Sequence, residues 1–313
     1  MKKMLLILLL ISNAIFAQSN FSIDTSYTEK SVYVKLIKKY PFITIPQLKE
    51  DKTVVQVANV VYQDHKERPL HLDAFFYKKQ KQNPAVLLIH GGGWKSGNKN
   101  QMHILAQEIA AKGYSCFAIE YRLSLEAKYP EGVIDVKNAI KFIKDNAKNF
   151  NVDPDKIAVL GCSSGAQMAA LIGTTNENLV FEDPLFKSKA SSKVNAIINV
   201  DGILAFKHPE SSEGEMASFW LNGTYEEKPE IWKNASALSH TDETTPPILF
   251  INSSIDRFHA GRDDMIKILD QNKIYSEVYT IKESPHSFWF FEPWLAETVL
   301  YTTQFLDKIF KIN

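Results

Sequence analysis

The chain has 313 residues, 45% hydrophobic and 23% charged, a composition that fills one full-sized core and excludes a disordered or fibrous chain. Thirty-six basic residues balance thirty-six acidic ones, so a formal net charge of zero gives no overall pull towards nucleic acid or anionic lipid. Two cysteines cannot build a disulfide framework, and no paired Cys or His-Glu-x-x-His pattern occurs, so neither a metal nor another cofactor is expected.

In chain order, Met1-Lys2-Lys3-Met4, an apolar run from Leu5 to Ile11 and then Ser12 to Gln18 have the layout of a secretory signal peptide over residues 1–17, cleaved after Ala17. The run is shorter than the roughly 18 residues a spanning helix needs, so an anchor fits less well. The mature chain is expected to be secreted or periplasmic, with no segment inserted in a membrane. Residues 18–53, with a basic cluster from Lys35 to Tyr40, read as an N-terminal extension lying on the main domain of residues 54–313. Val54 to Tyr62 and Leu70 to Tyr77 read as antiparallel strands joined by a polar turn.

Short apolar runs follow at Ala85 to Ile89, Ser115 to Tyr121, Ile157 to Leu160, Ala196 to Val200, Ile248 to Ile251 and Glu277 to Ile281. Between two of them Val133, Val136, Ile140, Ile143 and Ala147 recur at helical steps, with Lys137, Lys141 and Lys144 assigned to the opposite face. Apolar strands separated by amphipathic helices imply an α/β fold, a mostly parallel sheet covered on both faces. Cys116 and Cys162 fall on different strands and are expected to be free thiols. The stretch of about 203–245, with Trp220, Tyr225 and Trp232, is too long for a simple crossover; it reads either as a small lid or as a peripheral aromatic core.

Gly161-Cys162-Ser163-Ser164-Gly165 directly follows a strand and opens a small-residue helix, the context that makes a G-x-S-x-G serine a nucleophile. The glycines allow strained backbone at Ser163 and close approach of neighbouring chain. His90-Gly91-Gly92-Gly93-Trp94 follows another strand, and its glycines let backbone N–H groups approach an oxyanion. The N–H groups of Gly91, Gly92 and Ser164 are assigned to that hole, and His90 is read as a packed histidine holding the loop.

These motifs, with Glu120-Tyr121-Arg122-Leu123-Ser124, Tyr129-Pro130, Asp135 and Asp153-Pro154-Asp155-Lys156-Ile157, resemble the hormone-sensitive-lipase-like and carbohydrate-esterase branch of the α/β hydrolases over about residues 54–313. The resemblance implies the α/β-hydrolase fold and a Ser, Asp, His triad in that chain order. His286, in Ser284-Pro285-His286-Ser287-Phe288, then fits the base better than His240 or His259. Asp256 is the expected acid, five residues beyond Ile251, with Asp263 the alternative.

The implied activity is carboxylic-ester hydrolysis through an acyl-enzyme on Ser163. Arg257, His259 and Arg262, near Phe288, Trp289 and Trp294, together with Trp94, suit an esterified poly- or oligosaccharide carrying acetyl, methyl or feruloyl groups; Arg257, Arg262, Trp94 and Trp289 are the candidate substrate contacts. The simpler reading of the same residues is a salt-bridged surface loop beside an aromatic helix cap. A short-chain lipid esterase would need an apolar acyl tunnel, and a non-catalytic binding module would not need a complete triad.

Overall fold

The computed structural model describes residues 24–311 apart from 66, 67, 177 and 213, so residues 1–17, expected to be a signal peptide, lie outside the described residues. The strands are β1 (Val54–Asp64), β2 (Pro69–Tyr77), β3 (Asn83–Ile89), β4 (Ser115–Ile119), β5 (Val152–Cys162), β6 (Ala196–Val200), β7 (Ile248–Asn252) and β8 (Ser276–Thr280). They form one sheet in the order β1-β2-β4-β3-β5-β6-β7-β8. β2 pairs antiparallel with β1 and β4, and every other neighbouring pair is parallel.

Helices α1 (Glu29–Leu36), α2 (His103–Ala110) and α8 (Trp294–Phe310) cover one face; α3 (Glu131–Asp145), α4 (Ser164–Thr174), α5 (Gly214–Leu221), α6 (Pro229–Asn234) and α7 (Arg262–Gln271) belong to the other. β3 shows why its sequence is apolar throughout. Ala85, Leu87 and Ile89 enter the core shared with α3 and α4, while Val86 and Leu88 enter the core shared with α2 and α8. Successive side chains point to opposite faces, so a strand covered on both sides needs apolar residues at every step.

α3 buries Val133, Val136, Ile140 and Ile143 as its periodicity predicts, but its lysines differ from expectation. Lys137 is fully buried, its Nζ donating to the Thr175 carbonyl at 2.7 Å, and Lys141 pairs with Glu182. The chain beyond α4 lies over this side of the helix. A hydrophobic period marks the side facing the sheet and says nothing of what covers the opposite side. β5 also starts earlier than Ile157: residues from Val152 join the strand through an irregularity, β3 pairing moving from Asn83↔Val152 to Ala85↔Ile157.

Cys116 on β4 and Cys162 on β5 are both buried and free, with β3 between their strands. Two strand spacings, about 9–10 Å, exceed the reach of a disulfide. No helix among the described residues is long and apolar enough to cross a membrane.

Residues 24–53 run across the loops at the carboxyl edge of the sheet. Asp24 bridges to Ser96 and Thr44 to Glu292. Thr28 caps α1 through a reciprocal pair with Ser31, and Val32 and Ile43 join the core of α2 and α8.

Candidate active site

Ser163 stands between β5 and α4 with φ 55° and ψ −123°, the strained conformation that the sharp turn imposes. A Cβ on Gly161 would lie 2.0 Å from the Gly165 carbonyl oxygen, and one on Gly165 would lie 2.3 Å from that of Ile89. Only glycine lets β5, α4 and the end of β3 converge here.

His286 follows β8 and turns back over the elbow, Nε2 lying 2.8 Å from Ser163 Oγ. Its Nδ1 is 2.6 Å from Oδ2 of Asp201, a fully buried carboxylate directly after β6. Asp201 Oδ1 also accepts the Ser253 N–H at 2.9 Å, and the Asp201 N–H donates to the Ile251 carbonyl at 2.9 Å. Both bonds fix the carboxylate between the ends of β6 and β7.

This corrects the expected acid. The Asp256 side chain is 92% exposed and faces His259 at 3.8 Å; Asp263 pairs with Arg262 at the exposed start of α7. The loop after β7 turns Asp256 outward, while β6, one strand nearer the elbow, delivers Asp201 to the imidazole. The signal present in the sequence was Asp201-Gly202 at the end of an apolar strand. A Cβ on Gly202 would come 2.4 Å from that of Ala166, so the residue after the acid must be small to pass α4.

The β7 loop still touches the base. The Phe258 ring stacks on His286, centroids 3.5 Å apart at 9°, and the Arg257 guanidinium carbon lies 4.0 Å from the Phe258 centre. Two groups so close to one ring centre cannot share a face, so Phe258 is held between cation and imidazole. Trp289 meets the imidazole edge-on at 5.2 Å. It is buried in the core with α8, beneath the base, and offers no surface to a substrate.

The glycine loop after β3 approaches the same place. Gly93, φ 62°, and Trp94, φ 57°, line the cleft together with Ser163 and Ser164. Gly91, expected to supply an N–H, is packed against the elbow: its Cβ would be 2.8 Å from the Cys162 carbonyl oxygen and 3.0 Å from the Ser163 Cβ. Gly92 closes a tight turn, its carbonyl accepting the Ser96 N–H at 3.0 Å. Ser164 opens α4, and the first N–H groups of a helix have no acceptor within it. His90 is buried, its ring stacked on Tyr121 at 4.6 Å and its Nδ1 donating to the Gly91 carbonyl at 2.8 Å. Burial pulls its pKa down to about 4, against the opposing effect of that hydrogen bond.

Comparison with known proteins fits this geometry. The sequence profile of the BD-FAE family matches residues 72–262, well over half of the chain. The chain belongs to the BD-FAE family. It is similar to esterase LipC of Mycobacterium tuberculosis, 30% identical over 56% of this chain and 45% of LipC. This chain spans about half the length of the first curated relatives it matches. Among solved structures, esterase 2 of Thermogutta terrifontis overlays with a TM-score of 0.67 at 23% identity, covering 80% of this chain and 91% of that one. A truncated carbohydrate esterase from gut microbiota overlays with a TM-score of 0.66 at 22% identity, covering 82% and 98%. These likenesses establish the α/β-hydrolase fold that the sequence predicts.

In this BD-FAE chain the cleft above Ser163 has a volume of about 280 Å³ and is walled by Trp94, Ile203, Met216, Arg257 and Phe258. Trp94 is itself almost buried, its indole N–H donating to Gln167 at 2.9 Å and its face stacked on Trp220 at 4.8 Å. Arg257 is exposed at the cleft and donates to Ser212 Oγ at 3.1 Å. Arg262, expected beside it, is committed elsewhere: Nη1 donates to Asn252 at 2.8 Å and Nε to Asp263 at 2.8 Å.

Proposed function

We propose that this BD-FAE chain is a secreted serine hydrolase of short-chain carboxylic esters borne on a carbohydrate, working through an acyl-enzyme. The observation that carries the chemistry is the continuous hydrogen-bonded line from Ser163 Oγ through both nitrogens of His286 to Asp201. His286 takes the Ser163 proton as Oγ attacks the ester carbonyl, and Asp201 stabilises the imidazolium. The tetrahedral oxygen is held by the N–H of Ser164 with those of the Gly92-Gly93 segment, where no side chain intervenes. His286 returns its proton to the leaving alcohol, then activates the water that releases the acid.

The substrate reading is supported by the cleft. About 280 Å³ falls just below the range of about 300–1,000 Å³ for pockets that enclose a drug-sized ligand, which suits a short acyl group better than a fatty chain. The layout of residues 1–17 supports export.

Hydrolysis of p-nitrophenyl acetate and of acetylated oligosaccharides tests the reading. Ser163→Ala should remove nearly all turnover, and Asp201→Asn should lower kcat by about 10³- to 10⁴-fold while Asp256→Asn costs less than about tenfold. Greater harm from Asp256→Asn would move the acid, and faster cleavage of long-chain p-nitrophenyl esters than of acetates would replace the carbohydrate with a lipid.

A further inference from the structure

Phe219 on α5 is 40% exposed, and two lysines from separate segments converge on its ring. Lys128 Nζ lies 3.2 Å from the ring centre and Lys95 Nζ 5.4 Å. Lys95 directly follows Trp94 of the glycine loop, and Met216, one turn before Phe219, packs against Gly93 and lines the cleft. The ring and both ammonium groups therefore lie beside Trp94 and Met216, which line the cleft above Ser163. The acid facing this group is Asp24, which feels the charge of Lys95, and among the described residues no carboxylate comes within salt-bridge distance of either lysine. Partial burial and the charge of Lys95 lower the Lys128 pKa, the mark of cations held together without a neutralising partner.

Lys128 covers one face of Phe219, and the part of the ring left exposed, beside two ammonium groups with no carboxylate among the described residues at salt-bridge distance, fits the apolar side of a sugar that carries negative charge at its edge. We propose that Lys95, Lys128 and Phe219 form a subsite for an anionic sugar, a uronate unit neighbouring the esterified one. This rests on the carbohydrate reading above and names the substrate class within it. The ring surface that Lys128 leaves exposed carries the sugar, the lysines face its carboxylate, and Arg257 at the cleft adds a second positive region along the same glycan. Anionic lipid fits less well, because the cleft above Ser163 is too small for a fatty chain.

Two measurements test this. The first is the ratio of kcat/KM for acetylated oligogalacturonate to that for a neutral acetylated oligosaccharide, in wild type, Lys128→Gln, Lys128→Arg and Phe219→Ala. Lys128→Gln and Phe219→Ala should lower the ratio about tenfold through KM, Lys128→Arg should keep most of it, and raised salt should erode the wild-type ratio. An unchanged ratio in Lys128→Gln overturns the subsite. The second is titration of unesterified trigalacturonate onto Ser163→Ala, alone and combined with Lys128→Gln, which reports the subsite without turnover. Binding lost in the double variant supports the proposal; equal binding, or tighter binding to phosphatidylglycerol vesicles than to trigalacturonate, overturns it. If trigalacturonate binds but no acetylated glycan is cleaved, the reading of the reaction fails and the subsite stands.

Discussion

His90 is buried against Tyr121 with its Nδ1 proton given to the Gly91 carbonyl, so the neutral ring holds the glycine loop in place. Its pKa falls from the ordinary 6.5 to about 4 in the folded chain. The unfolded chain therefore takes up the proton first, and stability drains away as pH falls from about 6.5 to about 4. Between pH 7.5 and 4.5 this one residue should cost roughly 2–3 kcal/mol, which denaturant unfolding of wild type beside His90→Gln measures as a difference in pH dependence. Equal pH dependence in the two would mean that His90 titrates alike in the folded and unfolded chain. The same scale explains what the sequence revealed of the site. Ser163 was legible because its turn imposes glycine at Gly161 and Gly165, a local requirement written within five residues. His286 was legible from its loop after the final strand. Asp201 was hidden because an orienting acid needs only a buried carboxylate at the right distance, and the end of either β6 or β7 can deliver one. The arginines divided for a similar reason: the sequence brings Arg257 and Arg262 to one loop, but Asn252 and Asp263 claim Arg262.

At the level of elements, the insertion between β6 and β7 folds as a peripheral aromatic core that reaches the cleft. Trp220 and Trp232 are buried and pack with Phe206 as a small core, while Met216 on the same α5 helix walls the cleft. The link to the chemistry is the parallel stack of Trp220 on Trp94, 4.8 Å apart at 8°. Truncating a buried Trp costs about 3–5 kcal/mol, and here the loss falls on the joint between α5 and the glycine loop. Trp220→Ala should accordingly lower both thermal stability and kcat/KM for p-nitrophenyl acetate, by about tenfold for the latter, with Trp220→Phe keeping most of each. Retained kcat/KM in Trp220→Ala would mean that the insertion does not position the loop. The strands were readable because parallel strands covered on both faces are apolar at every step. The second layer over α3 was not, since a helix period carries no information about what buries its polar side.

Across the whole molecule, residues 24–53 act as a strap between loops that belong to distant parts of the chain. Tyr27 meets Phe290 at a tilt, ring centroids 5.8 Å apart, shares a hydrogen bond of 2.8 Å with Ser287, the neighbour of His286, and accepts from Gln101 through its carbonyl. Tyr27→Phe keeps the ring and removes one neutral hydrogen bond of about 1 kcal/mol. It should lower kcat on p-nitrophenyl acetate about threefold to tenfold with KM little changed, read by steady-state kinetics beside thermal unfolding; a loss of stability with kcat intact would leave the strap a purely structural tie. Tyr27 and Ser287 are 260 residues apart in the chain. At a synthesis rate of about 5–20 residues per second, the ribosome makes the second roughly 13–52 s after the first. For that interval Val32 and Ile43 have no α8 to cover them, and His286 does not yet exist. The nascent protein is thus an inert chain with an uncovered apolar arm, and its active centre is completed by the same late event that lays the arm down.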